Sequence, residues 1–421
     1  MLGQLVLLRF QAKPMTAPTV LEPAAITPSA IAAAKPAPLG RIPELDGLRG
    51  AAIFFVIVWH YFYFFPAKDH QSQGVLRSLY ISLEKCIALG WTGVDLFFVL
   101  SGFLIGGILL DAKGSPSYFK TFYARRFFRI IPIYFLWISC YVALRALSGP
   151  VVLGGAAGPE GPSSWGRIFA HFFFVQNLGF IAYSGVAAAW FVSTWSLAVE
   201  EQFYLIAPLA VRYISRRRLM GLLIAVVLFA PGFRMYIHYH FHAATNLEPA
   251  YILMPCRADA LALGMLAALG WRNPAFRRWL SEHTGAVYSL FALLLAGVLL
   301  LSRYSPDQHD LTMVSFGYTW IALFYLSALL LALSRPTGPV ASLTRMGWLR
   351  ELGTVSYCMY LIHQTVNLLL QILFEPSALG TGNWKSLATS VSAGLVTYGL
   401  ARLSWTYFEG PLQRRGHAFK Y

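Results

Sequence analysis

Ionisable side chains interrupt several apolar runs, and they are the first candidates for chemistry. Asp46 and Arg49 lie near the start of RIPELDGLRGAAIFFVIVWHYF, and His60 follows eleven residues after the arginine. Eleven helical residues make about three turns and rise about 16 Å, so Arg49 and His60 project from one face. Asp95, in GWTGVDLFFVLSGFLIGG, is expected at the depth of His60. If Asp95 lies beside His60, the carboxylate would help the imidazole to act as a general base. The alternative interpretation is an interfacial Asp46–Arg49 pair and a structural histidine.

Two adjacent acids, Glu200 and Glu201, lie inside the apolar segment STWSLAVEEQFYLIAP. Adjacent residues are about 100° apart on a helix, so at most one of the two faces a shared site. The other is expected to pair with a buried cation, for example Arg257 in PCRADALALG. Alternatively, Arg257 and Asp259 neutralise each other. Packing alone does not explain two acids in an apolar run, so this pair is predicted to be functional.

Tyr360 and His363, in VSYCMYLIHQ, form another polar pair inside an apolar run. They are three residues apart and therefore share one helix face.

Three arginines, Arg125, Arg126 and Arg129, precede an apolar span in FYARRFFRIIP. Ordinary anchoring of the span at the inner membrane face is one explanation. The functional explanation is a guanidinium clamp for a phosphorylated cytoplasmic ligand, because arginine binds phosphate oxygens in a bidentate manner.

The composition is that of a membrane protein. Of the 421 residues, 57% are hydrophobic and only 12% are charged, and the mean hydropathy is +0.57, whereas soluble domains carry about 25% charged residues. The net charge of +15 arises from 33 basic and 18 acidic residues. Because the basic residues lie mainly between apolar runs, they indicate membrane orientation and not nucleic-acid binding. The four cysteines are scattered singly without metal-site spacing, so no metal and no permanently bound cofactor are expected.

The hydropathy pattern predicts an all-α, polytopic transmembrane bundle of about ten spans. A span needs roughly 20 mostly apolar residues. The segments that satisfy this are 47–65, 86–110, 130–147, 195–213, 219–237, 257–271, 284–301, 314–333, 352–374 and 386–407. An eleventh apolar segment, 166–182, is short and contains His171, Gln176 and Asn177. It is interpreted as a re-entrant or interfacial segment, with an eleventh span as the open alternative.

Loop charge predicts the orientation of the bundle. With ten spans and a cytoplasmic N-terminus, 22 of the 33 basic residues fall on the inner side and eight on the outer side. Both termini are therefore expected in the cytoplasm. Residues 1–40, with six prolines, are predicted to form a disordered cytoplasmic tail. Residues 41–412 form the membrane domain, and 413–421 a short basic cytoplasmic tail.

Six motifs in this order resemble the integral-membrane acyltransferase 3 family over roughly residues 41–412. They are LDGLRGxAxxxVxxxH, GVDLFFVLSGFLI, RRxxRIxP, SLxxEExFY, RxDxxxxG and SYxxYLxH. The resemblance implies an enzyme that moves an acyl group, often acetyl, from cytoplasmic acyl-CoA to a hydroxyl of a glycan, lipid or secondary metabolite. Because the chain ends shortly after its last span, it resembles the stand-alone type without an SGNH hydrolase-like domain.

The resemblance also implies roles for individual residues. Its motifs map onto seven positions: Arg49, His60, Asp95, Arg126, Arg129, Glu200 and Glu201. Together with the types and spacing of the polar residues, they predict a catalytic group of His60, Asp95, Glu200 and Glu201, with Asp95 orienting His60. Binding of CoA or substrate is expected from the basic and polar residues Arg49, Arg125, Arg126, Arg129, Arg257, Tyr360 and His363.

The expected partners are the lipid bilayer of the inner (plasma) membrane, acyl-CoA as donor substrate and a glycan or lipid-linked acceptor. A different class stays open: a proton-coupled transporter or glycan flippase using the same buried histidine and carboxylates. The absence of an inverted repeat and the inner arginine cluster favour the acyltransferase. The acceptor, the acyl chain and the oligomeric state are not specified by the sequence.

Overall fold

A computed structural model describes residues 42–63, 84–85, 87–153, 163–178, 185–241, 248–374 and 384–421. The predicted tail at residues 1–40 lies outside these ranges. Helices account for nearly all of the described residues, and no strand occurs among them.

Within the described ranges, the first half of the chain contributes seven helices. They are α1 (Pro43–Val58), α2 (Gly93–Ala112), α3 (Tyr118–Leu153), α4 (Ser163–Phe172), α5 (Gly185–Phe191), α6 (Thr194–Tyr213) and α7 (Arg216–His240). A π turn, Trp59–Tyr63, continues α1, and a 3₁₀ turn, Gly90–Thr92, leads into α2.

The described part of the second half contributes nine helices. They are α8 (Pro249–Ile252), α9 (Met254–Trp271), α10 (Pro274–Glu282), α11 (Thr284–Tyr304), α12 (Tyr318–Ser334), α13 (Pro339–Thr344), α14 (Gly347–Phe374), α15 (Trp384–Ser404) and α16 (Gly410–His417). π turns at Met313–Gly317 and Trp405–Glu409 precede α12 and follow α15.

Eight of the ten predicted spans are confirmed as helices that are long and apolar enough to cross a membrane, within the described ranges. The other two predicted spans are also continuous helices, α6 and α15, of 20 and 21 residues. Glutamates in α6 and hydroxyl side chains in α15 make these two helices less apolar. Many large apolar side chains face outward, such as Leu228, which is 74% exposed. The protein is an all-α polytopic membrane bundle.

The apolar segment 166–182 begins in a helix that is too short to cross a membrane. Helix α4 has ten residues and ends at Phe172. Irregular backbone follows, held by buried amides: Gln176 donates to the Thr194 carbonyl oxygen at 2.9 Å, and Asn177 donates to that of Ile252 at 3.1 Å. The amide of Gln202 donates to the Phe174 carbonyl oxygen at 2.9 Å. Because these amides satisfy the backbone inside the protein, the turn after α4 needs no lipid-facing polar group.

The predicted basic tail at the C-terminus is helical and packed. Helix α16 lies along the start of α3, where Gly416 is close to the backbone of Arg125. Beyond the helix, Ser117 and Thr121 of α3 both donate to the Lys420 carbonyl oxygen at 2.9 Å. Residues 413–421 are therefore part of the bundle.

Buried charges tie four helices together in the centre. Arg234 of α7, fully buried, donates to Asp259 of α9 at 2.8 Å and to Thr319 of α12 at 2.7 Å. Arg257 of α9 forms an ion pair with Asp95 of α2, and both are 1% exposed. The Arg257 guanidinium also lies over the Tyr318 ring, 4.1 Å from its centroid, a favourable cation–π distance.

This network corrects three expectations. Asp95 forms its ion pair with Arg257, so the expectation that Asp95 lies beside His60 and orients it is wrong. Asp259 pairs with Arg234, so self-neutralisation of Arg257 and Asp259 is wrong as well. The expectation that a glutamate of α6 pairs with Arg257 is also wrong, because Asp95, 162 residues away in sequence, is the carboxylate that pairs with this arginine.

Helices α2 and α9 approach closely because glycines face each other. A Cβ on Gly264 would overlap the Val99 carbonyl oxygen and lie 2.7 Å from the Phe103 amide nitrogen. The Cα of Gly102 lies 3.0 Å from the same position. Small residues allow such close backbone contact in membrane bundles, and this contact brings Asp95 within reach of Arg257.

We expect Gly264→Ala to lower the stability of the bundle by about 1–3 kcal/mol, because the added methyl group forces the two helices apart. Gly221→Ala on α7 is the matched control, since a Cβ there meets no atom within 4 Å. Thermal unfolding in detergent measures both. Equal melting temperatures for the two variants would contradict the close packing.

Arg257→Met is expected to destabilise the protein by roughly 3–5 kcal/mol, since Asp95 is left as an uncompensated buried charge. Adding Asp95→Asn should restore much of the lost stability, because the neutral amide is far less costly to bury. Arg278→Met, at an exposed position, is the matched control. If Arg257→Met had the same melting temperature as the parent, the ion pair between Asp95 and Arg257 would not stabilise the bundle.

Candidate active site

A cavity of about 170 Å³ lies between α1, α2, α3, α6 and α14. Its wall follows α2 from Val94 to Ile108, a helix rise of about 21 Å, or two-thirds of a hydrocarbon core of about 30 Å. Most of the side chains that line it are apolar, such as Leu104 and Ile105, and its polar lining includes Arg49, Glu200 and Tyr360. The cavity is therefore a long passage within the membrane-spanning bundle.

One end of the cavity is cationic. Arg49 of α1 and Arg126 and Arg129 of α3 all line it, near enough to repel one another electrostatically. Arg49 has a weak ion pair with Asp46 at 3.4 Å. Within the described part of the chain, Arg126 and Arg129 form no ion pair and no hydrogen bond; Arg126 only stacks over the Tyr204 ring at 5.6 Å. Unpaired guanidinium groups that face a cavity suit an anionic ligand.

Glu200 joins this cationic end, whereas Glu201 does not line the cavity. Tyr204, one helix turn after Glu200, donates to its carboxylate at 2.8 Å. Ser101 of α2 is hydrogen-bonded to the Tyr204 hydroxyl at 2.7 Å. The 100° offset of adjacent helical residues explains why one glutamate reaches the cavity and its neighbour points away.

The opposite end is lined by hydroxyl groups. Tyr360 of α14 is hydrogen-bonded to the Ser196 hydroxyl at 2.6 Å and donates to the Ser193 carbonyl oxygen at 3.1 Å. The ring of His363 lies 5.8 Å from that of Tyr360. Tyr360 lines the cavity and His363 does not. The Tyr360 and His363 side chains thus come together as the sequence predicts, with only the tyrosine on the wall.

His60 lies in the π turn that continues α1, beside His363. The two imidazole rings are 4.8 Å apart, and the Nε2 of His363 is 3.3 Å from the Nδ1 of His60. The amide nitrogen of Gln364 is 3.0 Å from the Nε2 of His60. His60 is half-buried and does not line the cavity; its neighbour His363 lies beside Tyr360, which does. π turns often occur at functional sites, because the wider turn redirects a side chain.

Arg125 is occupied by the C-terminal segment and does not line the cavity. Its guanidinium donates twice to the Phe419 carbonyl oxygen, at 2.7 and 3.0 Å, and lies 5.0 Å from the centroid of the Tyr421 ring. Burial, together with the positive charges of Arg125, Arg129 and Arg126, lowers the pKa of His417 below its usual range. The basic cluster thus acts on the C-terminal helix electrostatically, while Arg125 holds the chain end.

The sequence prediction missed Tyr204, Gln364 and Arg234. Tyr204 had a signal, because it follows Glu200 by one turn in the polar stretch that begins with the glutamates. Arg234 had one too, as a charge inside an apolar helix. Gln364 follows His363 directly, and its polarity inside a span was the available clue. Among the described residues, no three His, Cys, Asp or Glu side chains come together as a metal site.

Comparison with known proteins identifies the family of this chain. Residues 42–405 match the acyltransferase 3 family, described as an acyltransferase domain. The chain is 27% identical over 401 residues to the peptidoglycan O-acetyltransferase OatA of Listeria monocytogenes, covering 89% of this chain and 56% of that protein. It is 24% identical over 391 residues to the O-acetyltransferase OatA of Staphylococcus aureus, covering 89% and 58%.

The chain thus spans less than two-thirds of the length of these relatives. No solved structure matches it. The family match extends over most of the membrane bundle and contains all of the cavity-lining helices. The chain belongs to the integral-membrane acyltransferase 3 family.

Proposed function

We propose that this protein is a membrane O-acetyltransferase that transfers acetyl from acyl-CoA to a hydroxyl of a glycan in the inner (plasma) membrane or at its outer surface. The observation that supports it most is the pair of unpartnered arginines, Arg126 and Arg129, facing a long cavity. Relatives named as O-acetyltransferases support the acetyl group, and the name of the Listeria relative supports a peptidoglycan-like acceptor. The family membership argues against the proton-coupled transporter or flippase.

The donor is held by charge at one end and by apolar contact along the passage. Coenzyme A carries a 3′-phosphate and a pyrophosphate, and Arg126 and Arg129, three residues apart, converge on one phosphate group. Arg49 adds a third positive charge. The apolar side chains that line the cavity, such as Leu104 and Ile105, accommodate the neutral arm that carries the thioester. With both termini in the cytoplasm, as the loop charges predict, the arginines face the compartment that supplies acyl-CoA.

His60, beside His363 and next to the Tyr360 side of the cavity, acts as the general base. The acceptor hydroxyl gives its proton to the imidazole while its oxygen attacks the thioester carbonyl carbon. The carbon–oxygen bond forms, the carbon–sulfur bond breaks, and the imidazolium returns the proton to the leaving thiolate. Glu200 and Tyr204 stay with the arginines, where the carboxylate limits the repulsion among the three cations.

His60→Ala is expected to reduce acetyl transfer by about 10²–10⁴-fold, the usual contribution of general-base catalysis. His240→Ala, at an exposed histidine, is the matched control and should retain parental activity. The assay follows acetyl-CoA consumption and acetylation of soluble peptidoglycan fragments by purified protein in detergent. If folded His60→Ala turned over acetyl-CoA almost as fast as the parent, His60 would not be the general base. If the parent itself showed no turnover, the proposed function would be wrong.

Arg126→Ala and Arg129→Ala are expected to weaken CoA binding, each by roughly 10- to 150-fold, since one charged hydrogen bond contributes about 1.5–3 kcal/mol. His60→Ala should leave the affinity nearly unchanged, because the base lies at the opposite end. Arg217→Ala, an exposed arginine on α7, controls for the loss of charge.

Calorimetric titration with CoA at low and high salt measures these affinities. Higher salt should weaken binding to the parent more than to the arginine variants, because fewer charges remain to be screened. Parental affinity in both arginine variants would show that the donor binds elsewhere.

A further inference from the structure

The proton on His60 is fixed to one nitrogen by its own helix. The Nδ1 atom lies 2.8 Å from the Val56 carbonyl oxygen, four residues earlier. A carbonyl oxygen only accepts hydrogen bonds, so Nδ1 carries the proton in the neutral ring. The lone pair therefore lies on Nε2, and Nε2 is the nitrogen that can accept a proton from a substrate.

His363 strengthens this assignment from the neighbouring helix. Its Nδ1 lies 2.7 Å from the Tyr360 carbonyl oxygen, so that nitrogen is a donor as well. The Nε2 of His363 then presents a lone pair to the Nδ1 proton of His60, at 3.3 Å. Because His363 is fully buried, it holds this orientation. The His60 ring is thus locked on its Nδ1 side by two acceptors.

The free side of His60 faces an amide. The nitrogen of Gln364, 3.0 Å from Nε2, must donate, because the lone pair of Nε2 only accepts. One turn further along α14, Asn367 has a buried Oδ1 atom without a hydrogen-bond partner in the described part of the chain. Gln364 and Asn367 are three residues apart and share a helix face. A row of amide groups therefore leads along α14 to the reactive nitrogen of His60.

We propose that Gln364 is the acceptor-positioning residue of this enzyme, an inference that rests on the proposed acetyl transfer. In the resting protein its amide caps the Nε2 lone pair of His60. When the acceptor arrives, its hydroxyl takes the place of that contact. The hydroxyl oxygen accepts from the Gln364 amide while its proton points at Nε2, so the oxygen is oriented before it attacks. The occupant of this subsite is a hydroxyl group of a glycan acceptor, with Asn367 available to a second hydroxyl.

An amide suits this position better than an ionisable group. A bare lone pair in the membrane interior is an unsatisfied acceptor, which is costly. A charged donor would satisfy it but would oppose the positive charge that His60 gains during transfer. The neutral glutamine satisfies the lone pair at rest and releases it to a hydroxyl without a change of charge.

The test compares Gln364→Met with the parent in the acetyl-transfer assay. Methionine keeps the volume but cannot donate, so KM for soluble peptidoglycan fragments should rise roughly 2- to 13-fold, the value of one neutral hydrogen bond. KM for acetyl-CoA should not change. Gln202→Met is the matched control, because it removes an amide that donates to Phe174 and Asn177. In this variant the ratio of the KM for peptidoglycan fragments to the KM for acetyl-CoA should equal that of the parent. An unchanged acceptor KM in Gln364→Met, or equal rises for donor and acceptor, would overturn the proposal.

A second measurement does not depend on acetyl transfer. Diethyl pyrocarbonate modifies an imidazole nitrogen that has a free lone pair, and mass spectrometry of peptides follows His60, with exposed His240 as the internal reference. Loss of the cap should accelerate modification of His60 in Gln364→Met by roughly 2- to 13-fold. Equal rates in the two proteins would overturn the cap. A parent that is labelled as expected but transfers no acetyl would instead remove the proposed function, so the two failures are distinguishable.

Discussion

A charged side chain inside a membrane needs a partner, and this constraint organises the whole bundle. Burial of an ion in an apolar medium costs several kcal/mol unless an opposite charge or several hydrogen bonds compensate it. Arg257 meets the requirement with Asp95 and the Tyr318 ring, and Arg234 with Asp259 and Thr319. Arg126 and Arg129 form no ion pair or hydrogen bond among the described residues, and Glu200 is the carboxylate nearby. The first two arginines therefore stabilise the fold, and the last two are the ones proposed to bind the donor.

Helix α2 connects these two groups of charges. One face places Asp95 against Arg257 of α9, and another forms the wall of the cavity from Val94 to Ile108. Phe98 belongs to both, since it lines the cavity while its ring lies 5.9 Å from the Arg257 guanidinium. The ion pair thus fixes the rotation of the helix that shapes the cavity. Loss of Asp95 or Arg257 would disturb the site through the position of this wall, without any contact to a substrate.

The features that depend on composition along one helix were predictable from the sequence. The apolar runs predicted the membrane-spanning helices. The three-residue spacing of Arg126 and Arg129 predicted that both lie on one face of α3. The 100° separation of Glu200 and Glu201 explained why only the first lines the cavity. These properties follow from helix geometry alone.

Contacts between helices were not predictable in the same way. Asp95 was expected at the depth of His60 and beside it. The packing of α2 on α1 differs: a Cβ on Gly93, two residues before Asp95, would meet the carbonyl oxygen of Ala52, eight residues before His60. Asp95 and Arg257 are 162 residues apart in sequence, and the close approach of Gly102 and Gly264 decides their pairing. Likewise, the contact between Gln364 and His60 joins α14 to the π turn that continues α1. Such pairings depend on the rotation and separation of packed helices.

The separation of the two ends of the site has consequences for the donor. Arg49 and His60 belong to one continuous helical segment, and their eleven residues set about 16 Å between the cationic end and the base. Under the proposed function, a donor must therefore carry its anionic groups and its acyl group far apart. Acyl-CoA has this form, because a long neutral arm separates the phosphates from the thioester. A small donor such as acetyl phosphate, in which both groups are adjacent, cannot contact the arginines and approach His60 at the same time. The spacing along α1 therefore favours a long donor, and the apolar side chains that line the cavity favour a neutral arm over a charged one.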